Sequence, residues 1–547
     1  MTSFRRGRRH LVRYGLLALR FCASVFILLS CILLAGSAEA AGLERGAAII
    51  DPLALRELDI GEASPRAAGR SGFGLRLFVG SRPTDAPILN SELFVLSSMV
   101  PVRRAIDDEF NRYIAGHKGR LPNETIGIGD GFDWQLFDRT LLDSAGSRFV
   151  LAGIVNRMDR TFVSPETCGE IRLIYRLTRL GEPPAGENAG SQRLPMTLNV
   201  VLKAKGEKVP RGVALTCKEI ARRWLATATW TQTGAELASR LVSAGGPLES
   251  IEPADVDRIE TNLQIAHAPK SAVRDFRTDY LLKVFRFNTQ TRLFEEAPME
   301  NQIDRDRLLA DPALARDFKA WLLDVRHLNE FDRGTILIPE RFLARGAIAA
   351  TPAGFDRSEL QPMFGLLQGE GAASPVLGES DIVTALRKAA EAGVVPRNIR
   401  SLAGFERRLN DVTCAGCHQA RGIGGFHFPG VDWMAAKPSN DTVVPASPHF
   451  FGDQLRRRDI LSSLSSDSRP DYSRAFSERP QMRARPEFAR ELSGTGYLDG
   501  WGARCYQQVA RDADNDPSFR DWTCAKGLDC QKVGKTSRIG MCFVSER

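Results

Sequence analysis

A chain of 547 residues with 43% hydrophobic and 26% charged side chains has room for two or more folded units, each with its own core. The formal charge of +8 misleads, because residues 1–40 hold six arginines against one acid, Glu39, and the remainder carries 68 basic and 65 acidic residues, a net of +3. Charge therefore gives no argument for a nucleic-acid partner.

The first residues predict an export signal. Arg5, Arg6, Arg8, Arg9 and Arg13 form a positive n-region, Phe21 to Ala35 an apolar h-region, and Ala38-Glu39-Ala40 a small-x-small cleavage site with Ala41 as the mature start. If the leader is retained instead, it tethers the chain to a membrane. No later stretch is long and apolar enough to span a bilayer. Cys31 follows Leu28-Leu29-Ser30, but the apolar residues after it argue against a lipoprotein box.

Residues 41–72 read as a loosely ordered lead-in with one or two helical turns at Pro52 to Leu58. The first folded unit, an α+β domain over 73–345 with a mainly antiparallel sheet, opens with a strand at Leu75–Val79. Ser97 or Ser98 caps a helix from Pro101 to His117, with Val102, Ile106, Phe110 and Ile114 at helical spacing. Strands follow at Phe149–Val155, at Ile171–Leu177 and around Leu198–Leu202, with a surface loop over Gly181–Ser191. Helical patterns occupy Cys217–Thr227 and Thr233–Ser243. Strands return at Asn262–Ala266 and Tyr280–Asn288, the latter turning through Thr289-Gln290-Thr291 into Arg292–Glu296. Pro312 splits the helical stretch Arg305 to His327 in two. Residues 346–380 shift to Gly, Ala, Pro and Ser and read as a connector, and Asp381 to Ala392 as a helix ended by Gly393 and Pro396.

The chemistry concentrates at Cys414-Ala415-Gly416-Cys417-His418. Composition alone predicts roughly 0.002 occurrences of C-x-x-C-H in this chain. Two thiols three residues apart at the start of a helical turn reach the two vinyl groups of one haem as thioethers, and the next imidazole faces the iron. The competing uses are a redox dithiol, a zinc half-site or a plain disulfide. Ile399, Leu402, Phe405 and Leu409 predict an amphipathic helix over Arg397–Asn410 that ends at the motif.

On these residues, with Gly404-Phe405 ahead of Cys414, the stretch 396–425 and less clearly the chain to 495 resembles class I cytochromes c. The resemblance implies one covalent haem c, thioether bonds from Cys414 and Cys417, and His418 as proximal iron ligand. Met482, after Pro480, and His449, after Pro448, are the rival distal ligands, with His427 and Met434 nearer in sequence. The apolar face expected after the ligand Met is thin, with only Phe488 and Leu492, and the run Gly422–Gly430 departs from the family pattern. Residues 381–497 are thus expected to form a mostly α, cytochrome c-like haem region.

Eight cysteines remain after cleavage, six of them outside the motif. Cys168 and Cys217 are expected to pair, the alternative being two buried thiols. Cys505, Cys524, Cys530 and Cys542 suggest a small disulfide-rich module over 498–547, with three possible connectivities. Asp512, Asp514 and Asp516 form half a calcium loop without its Gly and Glu, and read as a solvated acidic turn. No G-x-S-x-G, H-E-x-x-H, Walker A or dinucleotide fingerprint occurs, and His117, His267 and His327 are isolated.

The expectation is a multidomain, exported c-type haem protein, periplasmic or secreted from a bacterium. It would pass single electrons with a redox partner protein or a quinone-linked donor. The alternatives are a peroxidase-like haem enzyme with an open sixth position, and a haem-free, disulfide-stapled binding protein in which Cys414 and Cys417 form a bridge or join His418 and His427 at a metal.

Overall fold

The computed structural model describes residues 46–59, 72–80, 86–120, 124–126, 139–180, 193–204, 215–269, 277–350, 376–399, 402–415 and 454–474, and in the tail 504–511, 523, 528–532 and 539–544. The leader, the loop Gly181–Ser191 and the acidic run at Asp512–Asp516 lie outside the described residues.

Nine strands among the described residues form one antiparallel sheet. They are β1 (Ala48–Ile49), β2 (Glu124–Ile126), β3 (Ser147–Arg157), β4 (Glu170–Arg179), β5 (Arg193–Lys203), β6 (Val256–Pro269), β7 (Arg277–Asn288), β8 (Leu293–Glu296) and β9 (Gly346–Ala350). The spatial order is β1-β3-β4-β5-β6-β7-β8, with β2 beside β6 and β9 beside β7. Side chains alternate across a strand, so one register brings Leu173 of β4 opposite Val200 of β5, Val200 opposite Ile259 of β6, and Ile259 opposite Phe285 of β7. All four are buried in one core, which fixes the register: a slip of one residue would turn the whole row to the other face.

Helices α1 (Pro52–Leu58), α2 (Asn90–Leu93), α3 (Val100–Arg120), α4 (Cys217–Thr227) and α5 (Gly234–Val242) add Leu55, Leu93, Ile106, Trp224 and Leu241 to that core. A second core forms where α6 (Arg305–Ala310), α7 (Pro312–Leu322), α8 (Val325–Arg333), α9 (Glu379–Glu391) and α10 (Leu402–Val412) meet Tyr280 and Leu282 of β7 and Ala347 and Ala349 of β9. Tyr280 and Leu282 alternate with Leu281 and Phe285 of the first core, so the two cores lie on opposite faces of β7. The helix α11 (Gln454–Ser465) packs Leu461 into the first core.

Several elements match the sequence expectations closely: α3, the strands β3 to β5, and the Cys168–Cys217 disulfide, whose Cα atoms lie 5.1 Å apart. The break at Pro312 is also observed: Asp311 accepts from the N–H groups of Ala313 and Leu314 and starts α7, with the proline in its first turn. The chain then breaks again, and α8 begins at Val325.

Other expectations are corrected. Leu75–Leu77 is a 3-10 turn, not a strand, because Arg76 turns back to the carbonyl of Ala86 (3.0 Å) and to Glu92 (2.6 Å). Ser98 donates to the carbonyl of Val79 (2.5 Å) and does not cap α3. In the lead-in the helical turns expected at Pro52 to Leu58 form α1, capped by Asp51, and the unexpected element is Ala48–Ile49, which pairs with β3. The first residues of the supposed connector form β9 beside β7. The helix before the motif spans Leu402–Val412, and Arg397–Ile399 lies outside it for a reason given below.

In the tail, β10 (Arg504–Tyr506), β12 (Ile539–Val544) and β11 (Leu528–Lys532) form a three-stranded sheet in that order. Cys530 is disulfide-bonded and faces Cys542 across the β11–β12 ladder, while Cys505 sits on β10 opposite Gly540. Cys524 lies outside the described residues. Among the described residues, no helix is long and apolar enough to cross a membrane.

Candidate functional site

The site grows from the way α10 is anchored. Phe405 and Leu409, one turn apart, enter the second core, where the Phe405 ring meets Phe331 of α8 at 4.9 Å between centroids. Asp332, also on α8 and buried, accepts three backbone N–H groups: Arg397 at 2.9 Å, Asn398 at 2.7 Å and Ile399 at 2.7 Å. Those donors would otherwise stand unpaired ahead of α10, and the carboxylate satisfies them together. This is why Arg397–Ile399 caps onto α8 and does not extend the helix. Arg408, 2% exposed, donates to the carbonyls of Asp332 and Arg474, each at 2.8 Å, and so ties the segment before the motif to the segment after α11. Gly334 ends α8 with φ of +69°, and a Cβ there would come within 2.7 Å of the Arg408 guanidinium.

The motif begins where α10 ends. Cys414 is half-buried and is a thiol, not half of a disulfide. Its Sγ donates to the carbonyl of Glu300 at 3.3 Å, and the N–H of buried Ala415 donates to Gln302 Oε1 at 2.9 Å. The receiving segment is pinned by hydrogen bonds: Asn301 sits at φ of +57°, donates to the carbonyl of Ile336 and accepts from the N–H of Ile338. Cys417, His418, His449 and Met482 lie outside the described residues.

Cys414 opens on a cavity of about 580 Å³ between α10 and the polar face of β4 to β6. That volume falls within the range of about 300–1,000 Å³ in which cofactors and ligands bind. Its floor is an ion network that the sequence does not announce. Glu170 takes Arg160 at 3.1 Å, Arg172 at 3.0 Å and Arg258 at 2.9 Å, and Glu260 takes Arg172 at 3.0 Å and Arg258 at 2.9 Å. Arg160 also pairs with Glu300, beside Cys414. Burial opposes the charge on Glu170, but Arg160, Arg258 and Arg172 outweigh it and hold this carboxyl well below the usual range. The same balance lowers Glu260 and keeps Arg160 protonated.

A second cluster adjoins the first. Asp159 takes Arg157 at 2.9 Å and Arg456 of α11 at 2.8 Å. Gly169 makes the corner possible: at φ of +88° it lets the start of β4 approach β3 so closely that a Cβ would lie 2.6 Å from the carbonyl of Arg157. In sequence, Glu170 and Arg258-Ile259-Glu260 fall outside the expected strands Ile171–Leu177 and Asn262–Ala266, so the expected strands do not announce the network. The only local sign was opposite charges two residues apart on one strand face.

The two isolated histidines whose surroundings are described are structural. His117 is buried on α3 with its ring 5.5 Å from that of Tyr113, and His327 shares a hydrogen bond with the carbonyl of Trp321. Of the residues expected to hold a haem, Cys414 alone is among the described residues, and its thiol opens on a cavity lined by both cationic and acidic side chains. No protein-family model matches the chain, and no curated protein or solved structure matches it either.

Proposed function

We propose that this chain is an exported c-type haem protein that passes single electrons, in the bacterial periplasm or outside the cell. Cys414 and Cys417 would carry the thioether bonds and His418 would hold the iron, with Met482 or His449 as the distal ligand. The observation that carries this reading is the setting of Cys414. The thiol stands at the end of an amphipathic helix, braced on Glu300, and opens on a cavity of about 580 Å³. Bound there, haem c would supply a ferric–ferrous couple. The chain's own contribution would be to hold the motif's entry still through Asp332, Arg408 and Gln302, and to charge the adjoining surface. The exchange partner would be a redox protein or a quinone-linked donor.

The test is mass spectrometry of the proteolytic peptide spanning Cys414 and Cys417, from a host able to attach haem c. The expected result is the mass of one haem on that peptide, with an α-band in the reduced protein and a chromophore that survives acid–acetone extraction. Unmodified thiols or a Cys414–Cys417 bridge in such material would sink the proposal.

A further inference from the structure

We propose that the end of the cavity formed by Arg157, Arg160 and Arg474 is a seat for a carboxylate-bearing anion. The carboxylate would come from the propionates of haem attached at Cys414 or from a small soluble acid. The first source rests on the haem reading above; the second does not.

Three observations carry the inference. The first is a guanidinium, that of Arg474, with no ion pair of its own among the described residues. Arg157, Arg160 and Arg474 all line the cavity. The carboxylate that attracts Arg474 is Asp159, and it is already held by Arg157 and Arg456. Arg160 is likewise committed, to Glu170 and Glu300. The second is an unmet donor: the buried Nε of Arg474 has no hydrogen-bond partner among the described residues. Leaving a buried charged donor unmatched is costly, and an incoming carboxylate relieves it. Burial and the neighbouring guanidiniums of Arg456, Arg160 and Arg157 pull Arg474 down to about 10, so the site as it stands disfavours its own charge. The third is position. Glu300, which accepts from the Cys414 thiol through its carbonyl, pairs through its carboxylate with Arg160, so the seat and the attachment point share one wall. Planar guanidinium groups suit carboxylates in particular, through paired N–H donors.

The experiment uses the full chain purified from two hosts, one able to attach haem c and one not, with succinate as the probe. Binding is read as a saturable rise in the thermal unfolding midpoint and as heat in calorimetry. The thiol form is expected to bind, Arg474→Gln to weaken binding at least about tenfold, and Arg474→Lys to keep more of it, because it keeps the charge. If the haem-loaded form no longer binds succinate, the propionates fill the seat; if it still binds, the seat takes a soluble acid. No saturable binding by the thiol form, or equal binding by wild type and Arg474→Gln, overturns the proposal. A chain without haem from both hosts would defeat the haem reading and leave the succinate test intact, so the two failures are distinguishable.

Discussion

Replacing Asp332 with Asn tests whether one carboxylate holds the motif's entry in place. The side chain is 4% exposed and accepts from the backbone N–H groups of Arg397, Asn398 and Ile399. Oδ1 takes Asn398 and Ile399, and Oδ2 takes Arg397. An amide keeps one acceptor but without charge, which weakens two bonds by roughly 1 kcal/mol each. Its NH₂ then faces a third N–H, donor against donor, at a cost of about 1–3 kcal/mol. Relief from burying a charge returns part of this, so the expected loss is about 2–4 kcal/mol. Asp324→Ala, which removes an exposed cap from the same helix α8, is the control and should cost about 1 kcal/mol. Urea denaturation followed by far-UV circular dichroism gives both values. Amide exchange over 402–412 should speed up in Asp332→Asn and not in Asp324→Ala. If Asp332→Asn costs no more than Asp324→Ala and leaves that exchange unchanged, the anchoring argument is wrong.

Three further outcomes follow from the ion network and the disulfide. Glu170→Gln leaves Arg160, Arg172 and Arg258 without their shared anion and should destabilise the fold by about 3–5 kcal/mol in urea. Glu170 and Glu260 have folded pKa values held below their unfolded ones, so they bind fewer protons folded than unfolded. Their stabilisation is complete above the unfolded glutamate value, about 4.3, and is lost as pH falls below it. Wild-type stability should therefore drop between about pH 4.3 and 2, and Glu170→Gln should show a shallower drop; parallel acid limbs would contradict this. Removing the Cys168–Cys217 bridge, which closes a sequence separation of 49 residues, should cost about 4 kcal/mol in a Cys168→Ala/Cys217→Ala variant. Equal urea midpoints for that variant and the oxidised wild type would refute it.

What was legible in the sequence was local. The period of Val102, Ile106 and Phe110 appears as α3, the alternation of Ile171, Leu173, Tyr175 and Leu177 as β4, and Pro312 as the start of α7. Elements whose existence depends on distant partners were not. Ala48–Ile49 is a strand only because β3 lies beside it, and two residues carry no period. Leu75–Leu77 has a strand's composition but turns, because Arg76 finds its partners at Ala86 and Glu92. Helix α11 packs on the first core through Leu461, although its sequence neighbours belong to the motif region.

The motif's proposed chemistry was readable from residues alone, because thiol spacing and the adjoining imidazole are matters of a single helical turn. The ground on which Cys414 stands was not. Arg160, Glu170, Arg258, Glu300 and Arg474 come from separate stretches of chain, and each looks in sequence like a solvated charge. Only folding decides that they share one cavity, since the interaction of charges depends on distance and dielectric, and neither is written along the chain.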